Sequence, residues 1–242
     1  MKDAVLLETS LCAIVRDEKM NPAGGIMRFL AGAMPHVGKG VVVDTGSKDG
    51  TRELLERAKK DFSHLSVYDT PFKGYAEARN SALKRVKTKR ALILDADEII
   101  LQKDFTRLAE MLNCSNAPGF SFNFVTVHPD GAYDGGVGHY ERLFDVVGME
   151  FYNMYKWKYE SLRTHEGFKK TDINVYHFIP RGGIGSKKLE YWYHKDNISD
   201  GVAPSQVCGF DEWKAYNLQR DLYVASNLDR VVETEEEALE AF

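Results

Sequence analysis

The sequence predicts an α/β protein in which a mostly parallel central sheet, covered by helices, is extended by mixed sheet and C-terminal helices. Short apolar runs alternate with helical patterns over the first hundred residues, as is typical of parallel sheets with helices on both faces. After Phe105 the pattern changes, and residues 120–127 alternate with the period of a strand. A length of 242 residues with 43% hydrophobic content suits a substantial core.

Four apolar runs in the first half predict strands, at residues 11–15, 40–43, 65–68 and 91–94. Helical patterns lie between them, at residues 22–35, 54–62 and 75–86. Ser47 and Asp49 are suited to capping the second helix, and for such residues capping is a commoner role than catalysis. Open parallel sheets bind ligands beyond the carboxyl ends of their strands, so we expect the functional residues just after the first, second and fourth strands.

In the second half we expect a strand at 120–127, a glycine-rich loop at 131–138 and a further strand at 140–147. No internal repeat or linker divides the chain. We therefore predict one domain, residues 1–242, with a first half at about 1–100, a second half at about 101–195 and a C-terminal helical extension at about 196–242.

Composition excludes several classes of protein. The net charge of −4 and 28% charged residues argue against disorder and, weakly, against a general nucleic-acid binder. Cys12, Cys114 and Cys208 are too widely spaced for a disulfide framework or a zinc motif. Neither a signal peptide nor an apolar stretch of transmembrane length is evident. The sequence thus predicts a soluble, cytoplasmic protein, with peripheral membrane contact left open.

Acidic residues follow three of the predicted strands. Asp17 and Glu18 come after the first strand, Asp44 ends the second, and the run Asp95-Ala-Asp97-Glu98 follows the fourth. Carboxylate oxygens suit hard cations such as Mg²⁺ or Mn²⁺, and in an extended Asp-x-Asp segment both side chains lie on one face. A lone Asp-x-Asp is most often a solvated loop, but three acidic strand ends at one edge favour a functional site.

Four segments resemble, in order and spacing, the family 2 glycosyltransferases. They are Ile14-Val-Arg-Asp-Glu18, Val42-Val-Asp-Thr-Gly-Ser-Lys-Asp-Gly-Thr51, Tyr75-Ala-Glu-Ala-Arg-Asn80 and Leu92-Ile-Leu-Asp-Ala-Asp-Glu98. The resemblance covers roughly residues 11–100. It implies a GT-A-like fold, with a Rossmann-like nucleotide-sugar-binding half at 1–100 and an acceptor-binding half at 101–195. It also implies transfer of a hexosyl or N-acetylhexosaminyl group from a nucleotide diphosphate donor, with a UDP-sugar ranked first, and with inversion.

The resemblance further implies residues that bind the donor. Asp17 and Glu18 would lie near the base and ribose, and Asp44 would hydrogen-bond the base. Arg79 would reach the diphosphate, whose oxygens a planar guanidinium binds in pairs; a surface ion pair is the alternative role for this residue. Asp95 would approach the ribose or the sugar.

The same resemblance implies a metal site for Mn²⁺ or Mg²⁺. Asp97 of the Asp-x-Asp (DXD) motif would be the main ligand, with Asp95 beside it. The family also carries a metal-binding histidine, and here His177 is the candidate, with His165 as an alternative for the same role. Both histidines could instead be hydrogen-bonded core residues.

In the family, a Glu-Asp pair usually supplies the catalytic base, and this sequence lacks such a pair at that place. In its place stands Thr164-His-Glu166, so that Glu166 becomes the candidate base. Asp134 in the glycine-rich loop is the second candidate, since the loop is expected to lie over the donor sugar. Its glycines could equally mark a plain turn.

Charge in the second half is uneven. Residues 151–195 carry a net charge of +5 and residues 196–242 a net charge of −8. Basic and aromatic side chains alternate in the positive segment, at 155–159, 168–170, 187–188 and 191–193. Such a segment suits an anionic acceptor, such as a glycolipid, a cell-envelope glycan or modified DNA. The alternative is that basic side chains cover aromatic core edges, and the acidic end is most simply a solvated helix end.

Two other functions stay open. A nucleotidyltransferase also uses acids and metal, but it normally has a glycine-rich phosphate loop where this chain has Arg16-Asp-Glu-Lys19. A non-catalytic protein that binds a nucleotide sugar or a glycan would have no need of both Asp95 and Asp97. An apolar pattern at 210–223 could bury one helix face against the domain or against a second subunit in a homo-oligomer.

Overall fold

The computed structural model describes residues 6–178 except residues 20, 22, 128–132 and 155–158. Only the backbone is described for residues 133–137, 154 and 159. The predicted C-terminal extension, the acidic end, Cys208 and the basic clusters at 155–158 and 187–195 lie outside the described side chains. The longest described helix has 12 residues, and no helix in the described residues is long and apolar enough to cross a membrane.

Ten strands and four helices follow one another in the described residues. In chain order they are β1 (Leu6–Val15), α1 (Ile26–Ala33), β2 (Val37–Asp44), α2 (Thr51–Ala58), β3 (Leu65–Asp69), α3 (Tyr75–Leu83), β4 (Arg90–Ile93), β5 (Glu98–Ile99), α4 (Gln102–Asn113), β6 (Gly119–Val127), β7 (Tyr133–Asp145), β8 (Phe151–Met154), β9 (Tyr159–Leu162) and β10 (Lys169–Phe178). A 3₁₀ turn at Met34–His36 joins α1 to β2.

Eight of these strands form one sheet, in the order β3-β2-β1-β4-β7-β6-β10-β5. The strands β3, β2, β1 and β4 are parallel. Strand β7 runs antiparallel to both β4 and β6, and β6 is parallel to β10. Strands β8 and β9 form a separate hairpin. The predicted α/β class, with a parallel first half and a mixed second half, is confirmed.

Both faces of the central strands are buried, which explains why their sequences are almost continuously apolar. Leu11 of β1 packs in one cluster with Ile26 and Leu30 of α1. The adjacent Cys12 faces the other side and belongs to a second cluster with Ala82 of α3 and Phe151 of the hairpin. Burial raises the pKa of the Cys12 thiol to about 12, so this cysteine is a core residue.

The second half departs from the expectations in one respect that matters for the site. The predicted glycine-rich loop at 131–138 is strand from Tyr133 onward, because its backbone pairs with β6 in the register Phe124 to Gly138 and Thr126 to Asp134. Glycine content indicates a loop locally, but pairing with a neighbouring strand outweighs that preference.

Helix α4, the hairpin and β10 were not predicted. The first helix begins at Ile26 rather than at residue 22.

The parallel strands of the sheet all begin on one side of it and end on the other, which we call the carboxyl edge. Because β4, β6 and β10 all run in the direction of β1, their last residues, Ile93, Val127 and Phe178, lie at the carboxyl edge with Asp44. Strand β10 begins beside Phe120, at the opposite edge. The turn between β9 and β10 lies there too, since Phe168 packs against Gly119.

Candidate donor and metal site

Asp44 at the end of β2 is a buried carboxylate, with 2% of its surface exposed. Its Oδ1 accepts hydrogen bonds from the backbone N–H groups of Gly46 and Ser47, both at 2.7 Å. Its Oδ2 is buried and accepts no hydrogen bond from the described residues. A buried acceptor without a hydrogen bond lowers the stability of the folded state. Asp44 Oδ2 is therefore an acceptor that a bound ligand could satisfy.

Three hydrogen bonds join the loops that follow β1 and β2. The Asp17 N–H donates to Ser47 Oγ at 2.9 Å, and the Lys48 N–H donates to Asp17 Oδ1 at 2.7 Å. The Lys19 N–H donates to Asp49 Oδ2 at 3.0 Å. Asp17 has a φ of 55°, a left-handed backbone that aspartate tolerates better than most residues. Asp17 therefore helps to shape the loop beside Asp44.

Asp49 and Ser47 have different roles in this loop. Asp49 Oδ1 accepts the backbone N–H of Thr51, the first residue of α2, at 3.0 Å, which supports the expected role at the helix start. Ser47 instead bridges to Asp17 and does not cap the helix. Glu18 is half-buried, and its carbonyl accepts the N–H of Ile26 at the start of α1.

The Asp95–Glu98 turn after β4 is held from several directions. The Glu98 N–H donates to the Asp95 carbonyl at 3.0 Å, and the Asp95 N–H donates to Glu98 Oε2 at 3.0 Å. Asn21 Nδ2 donates to the Ala96 carbonyl at 2.7 Å. The N–H of Phe178 in β10 donates to the Asp97 carbonyl at 2.9 Å. The turn is thereby held by its own hydrogen bonds and by two other parts of the protein, Asn21 and β10.

Arg79 of α3 is 4% exposed and binds two carboxylates. It donates to Asp95, and its Nε donates to Glu160 of the hairpin at 3.0 Å. Burial alone would lower the pKa of Arg79, but the charges of Asp95 and Glu160 outweigh it and raise that pKa. The alternative of a surface ion pair does not hold for Arg79, because its guanidinium is buried, although Asp95 and Glu160 are partly exposed. Arg79 Nη1 is also buried and has no hydrogen bond among the described residues.

Asp97 lies close to His177 of β10. Asp97 Oδ2 and His177 Nε2 are 3.7 Å apart, which is too long for a hydrogen bond. The pairing of β5 with β10 sets this proximity, since Glu98 stands directly opposite His177 in the antiparallel register. The ring centroids of His177 and Phe124 in β6 are 5.8 Å apart.

Glu98 and Arg142 form a buried ion pair that sequence reasoning did not assign to the site. Arg142 Nη2 of β7 donates to Glu98 Oε1 at 2.7 Å, and its guanidinium lies 4.7 Å from the centroid of the Phe124 ring. Burial raises the pKa of Glu98, and Arg142 opposes that shift. The available signal was a carboxylate directly before the apolar run 99–101, since a carboxylate that is buried with such a run requires a cation from elsewhere in the chain.

The structure brings one candidate base to the carboxyl edge and keeps the other away. Asp134 pairs with Thr126, and Thr126 pairs with His177, so the three backbones lie side by side in β7, β6 and β10. His165 and Glu166 are exposed in the turn before β10. Lys169 pairs with Phe120 and His177 with Thr126, six residues further along β6, so these two residues of β10 lie roughly 20 Å apart at 3.3 Å per residue. The roles expected of His165 and Glu166 stay predictions, and this geometry does not support them.

The predicted metal ligands are therefore only partly assembled. Asp97 and His177 are neighbours, Asp95 is bonded to Arg79, and His165 lies at the opposite edge. Across the described parts of the chain, no three His, Cys, Asp or Glu side chains converge as a metal site. Lys169 and Lys170, part of the expected acceptor segment, also lie at the far edge with Phe120 and Ser121.

A comparison with known families decides the class of protein. The family described as Glycosyl transferase family 2 matches residues 39–189, which include Asp44, Arg79, Asp95, Asp97 and His177. This chain belongs to glycosyltransferase family 2. The resemblance seen in the sequence is confirmed, and with it the prediction of an enzyme of the glycosyltransferase class.

Solved structures of glycosyltransferases share the fold of this family 2 chain. The S. aureus TarS fragment 1–349 aligns with a TM-score of 0.52 and 13% identity, over 96% of this chain and 77% of that one. The same fragment has been solved with UDP-GlcNAc. The mannosyltransferase PcManGT from Pyrobaculum calidifontis, in complex with GDP-Man and Mn²⁺, aligns with a TM-score of 0.51 and 16% identity, over 97% and 73% of the two chains. The expected GT-A-like fold is confirmed.

A curated relative is closer in sequence but much longer. A TPR repeat-containing protein of Synechococcus elongatus is 33% identical over 118 residues. The aligned part makes up 49% of this chain and 27% of the relative. The family 2 chain thus spans only about a quarter of that relative's length.

Proposed function

We propose that this chain transfers a sugar from a nucleotide diphosphate donor to the hydroxyl group of an acceptor. The observation that carries the proposal is the meeting of Asp44, Asp95, Asp97 and His177 at the carboxyl edge of one sheet, where open α/β sheets bind their ligands. Membership of family 2 supports the same reaction. Each part of the site has a different task in it.

Asp44 binds the base of the donor. Its Oδ1 is occupied by two backbone N–H groups, so only Oδ2 is left to accept a hydrogen bond. Uracil offers one N–H between two carbonyls, whereas guanine offers an N–H and an amino group that together suit both oxygens of a carboxylate. One spare oxygen therefore favours UDP over GDP. Asp17 and Glu18, in the adjoining loop, border the base and the ribose.

The donor atoms of Asp97 and His177 fit a divalent cation. A carboxylate oxygen and an imidazole nitrogen 3.7 Å apart are close enough for one cation to contact both. Mg²⁺ and Mn²⁺ are commonly held by one or two protein side chains, with phosphate oxygens and water as the other ligands. A bound cation would neutralise the diphosphate as it leaves. Asp97 and His177 are the residues that we propose hold it.

Arg79 holds the carboxylate of Asp95 in place by an ion pair. Its buried guanidinium is shared between Asp95 and Glu160, so the three groups together keep one net negative charge. Asp95 then accepts hydrogen bonds from the ribose or the sugar. The buried Nη1 of Arg79 is a further donor, and it suits an anionic group of the nucleotide diphosphate.

Asp134 is the proposed base. Its backbone lies one strand away from Thr126 and two strands from His177, on the edge where the donor binds. Asp134 takes the proton of the acceptor hydroxyl as the hydroxyl oxygen bonds to the anomeric carbon. The bond from that carbon to the diphosphate oxygen breaks, and the nucleoside diphosphate leaves with the electron pair. Attack from the face opposite the leaving group inverts the configuration.

The first test is donor hydrolysis. The protein is incubated with Mn²⁺ and a panel of UDP- and GDP-sugars, and release of the nucleoside diphosphate is measured. We expect Asp97→Ala and His177→Ala to lose at least about a hundredfold in rate. Asp172→Ala is the matched control, since Asp172 is 80% exposed on the same strand as His177 and pairs only with Arg107 in the described residues. Release from no donor, or equal rates in wild type and Asp97→Ala, would refute the proposal.

A further inference from the structure

Asp97 and His177 are also connected through a chain of neighbouring side chains. Two residues of that chain, Glu98 and Arg142, have no part in the proposed reaction. Glu98 has a side chain that is 1% exposed, and both of its oxygens are bonded. Oε2 accepts the Asp95 N–H at 3.0 Å, and Oε1 accepts from Arg142 Nη2 at 2.7 Å. A carboxylate buried to this extent requires such partners.

Glu98 closes the turn that carries the acids. Its side chain binds the N–H of Asp95, and its own N–H binds the carbonyl of Asp95. The turn is therefore tied at both ends by one residue. Asp97 lies inside the turn, so Glu98 helps to fix its position, together with the hydrogen bonds from Asn21 and Phe178.

Arg142 connects the same turn to His177 by a second route. Its guanidinium bonds Glu98 and lies over the ring of Phe124, which is itself packed near the His177 ring. The strand register sets Glu98 opposite His177 as well. Contacts thus run from Asp97 through Glu98, Arg142 and Phe124 to His177.

We propose that Arg142 and Glu98 are positioning residues that hold Asp97 and His177 at a spacing that one divalent cation can bridge. The inference rests on the proposed function, because that function assigns the cation to this pair. The proposed function assigns neither Arg142 nor Glu98 a contact with the donor or the cation. Without Arg142, the Glu98 carboxylate is buried with one oxygen uncompensated, and the turn that carries Asp97 has to rearrange.

Mn²⁺ binding tests this directly, by titrating the protein with Mn²⁺ and following the electron paramagnetic resonance of the free ion, with and without UDP. We expect Arg142→Met and Glu98→Gln to weaken Mn²⁺ affinity at least about tenfold, while Arg142→Lys, which keeps the charge, loses less. Arg107→Met is the control, since it also removes an arginine that pairs with a buried acid. Arg107 Nη1 lies 2.8 Å from Asp104 Oδ1, and both residues are in α4. This variant should unfold at a lower temperature and bind Mn²⁺ as the wild type does.

The outcomes separate this inference from the proposed function. Folded Arg142→Met with wild-type Mn²⁺ affinity and wild-type kcat overturns the positioning role, whatever reaction the protein catalyses. If Arg142→Met does not fold, Arg142→Lys and Glu98→Gln decide the question by the same measurement. Weakened Mn²⁺ binding in a protein that hydrolyses no donor supports the positioning role and contradicts the proposed function. A wild type that binds no Mn²⁺, with or without UDP, overturns both.

Discussion

The buried guanidinium of Arg79 donates a hydrogen bond to the carboxylate of Asp95. The first acid of the motif is thereby paired with a buried arginine, while the second, Asp97, lies 3.7 Å from His177. Two acids separated by a single residue consequently have different surroundings. We attribute sugar or ribose binding to Asp95 and cation binding to Asp97 for this reason.

Replacing Arg79 should destabilise the protein strongly. Arg79→Met leaves the partly exposed Asp95 and Glu160 without their shared cation, and losing hydrogen bonds to charged groups of this kind costs about 2 kcal/mol or more. The free energy of unfolding, measured with urea, checks this. Arg52→Met is the matched control, because Arg52 also bridges two carboxylates, Glu56 and Asp69, but at the surface. Equal losses in the two variants would contradict the burial argument.

Replacing Asp44 by asparagine should change which base is bound. In Asp44→Asn the side-chain oxygen would still accept the two backbone N–H groups, but the new amide would be a donor at the position where we propose that Oδ2 accepts the N–H of uracil. Two donors would face each other in the UDP complex, and we expect UDP affinity to fall about tenfold to a hundredfold.

Calorimetric titration with UDP and CDP measures this effect. Cytosine carries an acceptor where uracil has its N–H, so the affinity for CDP relative to UDP should rise in Asp44→Asn. A parallel loss of both nucleotides would show that the residue only maintains the loop. Asp172→Asn, a change at an exposed position, should alter neither affinity.

The two candidate bases can be separated by conservative substitutions. Asp134→Asn should lower kcat for sugar transfer by about a hundredfold or more, since it removes the proton acceptor, with donor affinity little changed. Glu166→Gln should keep most of its activity, because Glu166 lies in the turn before β10 and the site lies at the other end of that strand. Comparing kcat and donor KM for the two variants checks this. The reverse result would restore Glu166 as the base and remove Asp134.

Much of the site could be predicted from the sequence because its acids follow apolar strands. Asp44 and Asp97 are 53 residues apart in the chain, yet strands that run in parallel end at the same edge. The family motifs supplied the same residues independently. His177 was also predicted, although only as one of two candidates.

Other residues could not be assigned in this way. Glu98 and Arg142 are 44 residues apart, and no local pattern states that β7 will place this arginine beside the turn after β4. Glu160 is similar, since it reaches Arg79 only because the hairpin packs on α3. Partners for buried charges are chosen by packing, which short-range sequence patterns do not contain.

The sequence by itself determined the class of fold, the family and the edge of the sheet at which the acids gather. Hydrophobic periodicity and motif order are local, so they survive without knowledge of how the strands pair. The tertiary structure decided which acid is bound by Arg79, which histidine approaches Asp97 and which candidate base lies at that edge. These depend on strand direction and register. The length of β10 places the turn that carries His165 and Glu166 at the opposite end of the sheet from His177, and the pairing of β6 with β7 brings the backbone of Asp134 near His177.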